Sequence, residues 1–302
     1  MTTSRPRLEG IIAAIPTPFR LDEELALDRL ATNLSSWNRT RLAGYTALGT
    51  TGEFVSLTTD EKKRVLETAR EHVPGDRVLV AGTGAESTKE TVTLTGFASE
   101  IGCDYAIVVT PHYNRRSFVD RSLVDHYRRV ADSSTIPVVV YHIPACTALS
   151  LASETVAKLA EHPNIVGIKD SSGDVFALEE TKRACGGGFH VLTGSAQILV
   201  SAFHAGASGA ILADANVAPE VCVGLWEACA TGELDRARKI QSRLVPFNRL
   251  LLGRYGIPGI KALLDEIGWY GGPPRAPLAS VSEEAARELL LSLGQVTEET
   301  AQ

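Results

Sequence analysis

Two reactive side chains close two apolar runs in this chain. Lys169 ends the run Asn164-Ile165-Val166-Gly167-Ile168 and opens the polar turn Asp170-Ser171-Ser172-Gly173-Asp174. Tyr141 follows Val138-Val139-Val140 and precedes His142-Ile143-Pro144. A lysine at the end of a buried strand is hard to hydrate, and burial disfavours the charged form of an amine. A neutral amine attacks carbonyls, which is the chemistry of Schiff-base lysines. A phenol beside the resulting cationic imine can exchange protons with it near neutral pH. The ordinary alternatives are an ion pair of Lys169 with Asp170 or Asp174, and a core tyrosine whose hydroxyl is satisfied internally.

Two further segments carry polar groups. Gly49-Thr50-Thr51-Gly52-Glu53 offers hydroxyls and backbone N–H groups to a small carboxylate. Otherwise it is a strand-to-helix turn, since its spacing is not that of a phosphate loop. Thr110-Pro111-His112-Tyr113-Asn114 brings a tyrosine that could equally be a surface aromatic. His112, His126, His142 and His204 lack the spacing of a metal-ligand set. His142 is expected to tune the pocket, Glu53 to stabilise its own turn, and residues 84–88 to form a loop and helix cap. Cys146 lies shortly beyond Tyr141, over the same pocket. No positive neighbour is visible that would activate its thiol, so it reads as a specificity residue.

These groups need elements to hold them. Short β-branched runs at 10–15, 42–48, 77–81, 105–109, 137–140, 165–168, 190–192 and 209–212 alternate with amphipathic stretches, among them 59–72, 87–101, 119–133 and 153–162. Helix starts are expected at Thr59 and Ser153. Strands apolar on both faces, each followed by a helix, imply a parallel sheet covered by helices. Eight such units predict an α/β fold, a (β/α)8 TIM barrel, whose carboxyl face gathers all four reactive segments. Residues 219–231 would complete it, within a barrel domain spanning 1–232. Helices at 233–252, 256–267 and 282–293 would form a C-terminal helical extension over 233–302, with a rigid Gly/Pro-rich loop at 271–277.

Composition narrows the function classes. The chain has 302 residues, 44% of them apolar and 22% charged, and a net charge of −6 with no basic cluster to hold nucleic acid. No stretch approaches the ~20 apolar residues of a membrane span. The first ten residues lack an apolar signal core, so the expected location is cytoplasmic. Five scattered cysteines show no Cys-x-x-Cys pair, which argues against disulfides and zinc. Cys103, Cys222 and Cys229 read as small buried residues in helices.

Taken in order, the four segments resemble the dihydrodipicolinate synthase and N-acetylneuraminate lyase superfamily of class I aldolases, over residues 10–293. The resemblance implies a homotetramer built from tight dimers, and a Schiff base between Lys169 and pyruvate or another 2-oxo acid, with no cofactor and no metal. It implies that Tyr141 relays protons, that Thr50 links Tyr141 to a Tyr113 donated by the neighbouring subunit, and that Thr51 holds the substrate carboxylate. Gly194 and Ile211 match positions close to Lys169.

Segments 162–167, 169–171, 215–217, 256–259 and 269–277 are most similar to the 4-hydroxy-2-oxoglutarate aldolase branch, in which Ser171 would help position the substrate. That branch tends to have Ser-Asn at Thr50-Thr51 and asparagine at Cys146. Lysine-pathway synthases usually carry an arginine at the position of Cys146, and a neutral short side chain cannot replace a guanidinium. The leading expectation is therefore cleavage of 4-hydroxy-2-oxoglutarate or a related hydroxylated 2-oxo acid to pyruvate and an aldehyde. The other readings are dihydrodipicolinate synthase, a 2-keto-3-deoxy sugar acid aldolase or dehydratase, and an inactive barrel that binds a 2-oxo acid.

Overall fold

A computed structural model describes residues 7–297. Eight parallel strands, β1 (Gly10–Ala14), β2 (Gly44–Ala47), β3 (Val78–Gly82), β4 (Tyr105–Val109), β5 (Val138–His142), β6 (Ile165–Asp170), β7 (His190–Thr193) and β8 (Gly209–Leu212), close into a barrel in chain order. The chain is thus the (β/α)8 barrel that alternating strand and helix patterns require. Side chains alternate across the wall as the two-residue period of a strand demands. Ile12, Ile107, Val139, Leu192 and Ile211 pack one cluster with Tyr141, while Ile11, Ala13, Leu79 and Leu212 belong to a second core with the helices.

Four strands run further at their carboxyl ends than expected, β3 and β7 by one residue and β5 and β6 by two. β5 continues to His142 and β6 to Asp170, so the reactive residues lie within the ladder rather than after it. The register pairs Tyr141 with Lys169 and His142 with Asp170. Parallel pairing of neighbouring strands thereby sets the phenol beside the amine without help from any loop.

The helix Thr59–His72 starts one residue after its cap, which is Thr58. Thr58 Oγ1 accepts from the Glu61 N–H while the Glu61 carboxylate accepts from the Thr58 N–H, a reciprocal capping box. Ser153 begins a helix but does not cap it, because Ala152 occupies the cap position. Cys103 is buried in the turn before β4 rather than in a helix; Cys222 and Cys229 are helical, the second only partly buried. All five cysteines are free.

Beyond Pro219–Ala230 the helices Leu234–Asn248, Gly256–Glu266 and Glu283–Thr297 follow. The expected single helix over 233–252 instead widens after Asn248 into a π-helical stretch, Arg249–Tyr255. These helices are bonded to the barrel by buried polar contacts. Asn248 Nδ2 donates to both oxygens of Asp214, at 3.0 and 2.9 Å, next to the end of β8. Lys261, fully buried, meets Glu53 Oε1 at 2.5 Å and donates to the Pro273 carbonyl at 2.9 Å. Glu53 also accepts from the Arg275 N–H at 2.9 Å, so it bridges to the C-terminal segment instead of serving only its own turn.

Candidate active site

Lys169 is 4% exposed at the carboxyl end of β6, with Nζ 4.2 Å from the ring centroid of Tyr141. The ion pairs of the alternative reading are not formed. Asp170 accepts from His142 Nδ1 at 2.7 Å and from Ser172, and Asp174 caps the helix Val175–Cys185. Among the described residues, no carboxylate lies within ion-pair distance of Lys169. Gly194 is required beneath it: a Cβ there would stand 2.9 Å from Lys169 Cε and 1.9 Å from Ser171 Oγ. Any larger residue would displace the lysine stem. Ser171 is tied into the wall by its N–H, which donates to the His142 carbonyl at 2.9 Å.

Thr50 Oγ1 lies 3.3 Å from the Tyr141 hydroxyl, bringing the turn after β2 onto the same pair. That turn is under strain. Leu48 and Glu53 take φ of 60° and 53°, left-handed values that cost a residue with a side chain about 1 kcal/mol or more each. Buried Thr17 holds the turn by donating to the Gly52 carbonyl at 2.7 Å. Gly52 and Glu53 use their own N–H groups within the turn, on the carbonyls of Gly49 and Thr50. The N–H groups of Thr50 and Thr51 have no internal acceptor among the described residues, as a carboxylate-binding turn needs. Thr51 is buried and Ile211 lines the barrel interior with Tyr141, 1% exposed.

Tyr113 is not brought to this cluster by its own chain. It is 83% exposed in the loop after β4, which is fastened by the Glu86 carboxylate accepting from the N–H groups of His112 and Tyr113. Glu86 belongs to the 84–88 loop, and Ser87 caps the following helix as expected.

The pair His142–Asp170 has a sharper role than pocket tuning. His142 Nε2 accepts from the Leu151 N–H at 3.3 Å, so Nδ1 carries the proton given to Asp170. This clamps the segment from His142 to Leu151, which includes Cys146. Burial raises the Asp170 carboxyl, but the hydrogen bonds from His142 and Ser172 outweigh it and hold the group below its ordinary value. The sequence hint was an acid and a histidine at paired strand ends, visible only once the register is known. Cys146 sits in the short helix Pro144–Thr147. Cys146 is exposed there; desolvation by its surroundings raises its thiol above the ordinary value and the Lys169 charge opposes this.

Among the described residues no group of three or more His, Cys, Asp or Glu is placed to hold a metal, and no helix is long and apolar enough to cross a membrane. A buried amine, a phenol bonded to a threonine, and a turn with free N–H groups together suit imine chemistry on a small carboxylate.

Known proteins agree. Residues 7–295 match the model of the dihydrodipicolinate synthetase family. A 4-hydroxy-tetrahydrodipicolinate synthase of Exiguobacterium is 35% identical over 96% of this chain and 98% of its own. A DapA-like lyase of Halobacterium salinarum is 38% identical over 92% of this chain and 90% of its own. The crystal structure of the Acinetobacter baumannii dihydrodipicolinate synthase with pyruvate superposes with a TM-score of 0.91 at 29% identity, covering 96% of this chain and 99% of that one. This chain belongs to the dihydrodipicolinate synthetase family and is a carbon–carbon lyase of the Schiff-base type.

Proposed function

We propose that this enzyme is a pyruvate-dependent aldolase acting on 4-hydroxy-2-oxo acids through Lys169. The observation that carries this reading is the buried amine itself, set over the Tyr141 ring with no carboxylate to neutralise it. In the cleavage direction Nζ adds to the C2 carbonyl and water leaves as the imine forms. The protonated imine then draws the electrons of the C3–C4 bond while the C4 hydroxyl gives up its proton. An aldehyde departs and an enamine remains. Protonation at C3 gives the pyruvyl imine, and water hydrolyses it to pyruvate and the free amine.

Each neighbour takes one task. The Tyr141 hydroxyl, bonded to Thr50, carries protons at the imine. Thr51 and the free N–H groups of its turn hold the carboxylate. Ser171 positions the substrate on the side of Gly194, and Ile211 packs the barrel interior below. Tyr113, exposed on its own chain, completes the Thr50–Tyr141 chain from a neighbouring subunit of a cytoplasmic homotetramer.

Within this class, 4-hydroxy-2-oxoglutarate would yield pyruvate and glyoxylate. The second reading is condensation of pyruvate with aspartate semialdehyde, which the synthase name of the Exiguobacterium relative favours and the neutral Cys146 disfavours. A pyruvate-release screen across 4-hydroxy-2-oxo and 2-keto-3-deoxy acids, run beside a coupled semialdehyde assay, tests both. Pyruvate release that disappears in Lys169→Ala supports the aldolase. Turnover confined to the semialdehyde assay supports the synthase. Pyruvate binding with no turnover in either assay overturns both and leaves a binding protein.

A further inference from the structure

A cavity of about 370 Å³ is bordered by Cys146 and by Thr50, the residue whose hydroxyl lies 3.3 Å from that of Tyr141. It is much larger than the three carbons of pyruvate require. Its walls are largely hydrocarbon: Phe54 and Val55 from the segment after β2, Val109 and Ile143 from the ends of β4 and beyond β5, and Ile257 and Leu278 from the C-terminal segment.

Apart from the uncharged hydroxyl of Ser56, the polar side chains on this wall have partners. Glu53 is bound to Lys261 and the Arg275 N–H. His112 Nδ1 lies 2.9 Å from Glu86, and the Thr147 hydroxyl donates to the Ile143 carbonyl at 3.1 Å. Thr50 faces the Tyr141 hydroxyl. No lysine or arginine lines the cavity. A carboxylate placed there would lose its hydration with no cation to replace it. An apolar substituent would gain by leaving water for the hydrocarbon wall.

We propose that this cavity receives the substituent of the aldehyde, and that among 4-hydroxy-2-oxo acids the preferred aldehydes are uncharged and apolar, branched aliphatic or aromatic, so that 4-hydroxy-2-oxoglutarate, whose aldehyde is the carboxylate-bearing glyoxylate, is the poorer substrate of the class. The proposal rests on the aldolase reading above, since the cavity is assigned through Thr50, which lines it and faces the Tyr141 hydroxyl. It makes Cys146, at the border between the two spaces, the residue that sets the charge of the acceptor. The exposed faces of Val55 (70%) and Leu278 (40%) place the entrance at the outer end of the same wall.

The test is a comparison of kcat/KM for aldol addition of pyruvate to benzaldehyde, isobutyraldehyde, glyoxylate, succinic semialdehyde and aspartate semialdehyde, using the full chain. At least about a tenfold preference for the first two is expected, on the scale of one well-buried substituent. Cys146→Arg should shift the preference toward the carboxylate-bearing aldehydes by a similar factor. Ile257→Arg, introduced at the opposite wall, should shift it the same way. A wild-type preference for the carboxylate-bearing aldehydes, or no preference, overturns the proposal. Trapping of pyruvate on Lys169 in the same samples separates the two claims. An adduct with the wrong aldehyde preference refutes only the cavity assignment, whereas a missing adduct refutes the aldolase reading beneath it.

Discussion

Lys169 and Lys261 are both withdrawn from solvent, at 4% and 0% exposure, but their surroundings are opposite. Lys261 has an acid at 2.5 Å, a carbonyl at 2.9 Å and the Phe19 ring face at 4.3 Å. Burial lowers its pKa and Glu53 pulls it back up, so the pair persists as a structural tie between the turn after β2 and the C-terminal helices. Lys169 has a ring face, a glycine and a serine, and no acid. A buried cation that is paired holds a fold together. An amine with no acid beside it is not held in an ion pair and can meet an incoming carbonyl. The same residue type is thus a structural tie at one site and the proposed nucleophile at the other, and the nearest carboxylates distinguish the two.

The sharpest way to break this contrast is to remove each lysine in turn. Lys169→Ala should lower kcat by at least about 10⁴-fold, with the thermal midpoint nearly unchanged. Any substantial residual turnover would mean that the amine is not the nucleophile. Lys261→Met should do the reverse. It leaves Glu53 buried without its cation and should cost about 3–5 kcal/mol in denaturant unfolding. Adding Glu53→Leu should recover much of that loss; failure to recover would show that the pair is not the unit of stability.

Smaller changes refine the contrast. Tyr141→Phe keeps the ring face over Lys169 but removes the hydroxyl bonded to Thr50. Turnover should fall about 10²–10³-fold while imine trapping persists, as expected for a lost proton carrier. Loss of trapping would instead make the phenol part of imine formation. The smallest expected effect concerns acid. Glu61, in the capping box of the helix Thr59–His72 and bound to Arg275 at 2.6 Å, has its pKa lowered from 4.5 to about 2, chiefly by the Arg275 hydrogen bond. A lowered carboxyl pKa adds stability above its unfolded value that is lost as pH falls toward 2. Glu61→Gln should therefore cost about 1–2 kcal/mol near pH 6, allowing for solvent screening, and nothing near pH 2. Equal loss at both pH values would assign the effect to packing.

The placement of Tyr141 beside Lys169 is largely legible in the sequence, and the tie around Lys261 is not. The two-residue strand period fixes which side chains share the barrel interior, so Tyr141 and Lys169 could be placed on one face from local patterns alone. The Gly-Thr-Thr-Gly-Glu turn and the exposed Tyr113 loop follow from the same reasoning, because each lies just past a strand end. Glu53 was misread as serving only its own turn because its partners arrive from the C-terminal segment; Arg275 is 222 positions away. A local signal did exist. Lys261 sits in a helix whose other buried positions are Gly259, Ile260, Leu263 and Leu264, and a lysine on such a face demands a buried acid. The His142–Asp170 clamp was hidden for a related reason, since it depends on the register between β5 and β6. The cavity beyond Cys146 is built from four separate segments and has no periodic signature at all.

The most direct test of the contrast between the lysines is borohydride reduction of the enzyme with pyruvate, followed by peptide mass mapping. The account predicts one reduced pyruvyl adduct per chain, on Lys169, with Lys261 unmodified and no adduct in Lys169→Ala. An adduct on Lys261 or another lysine, or an unmodified Lys169 in protein that turns over, would contradict it.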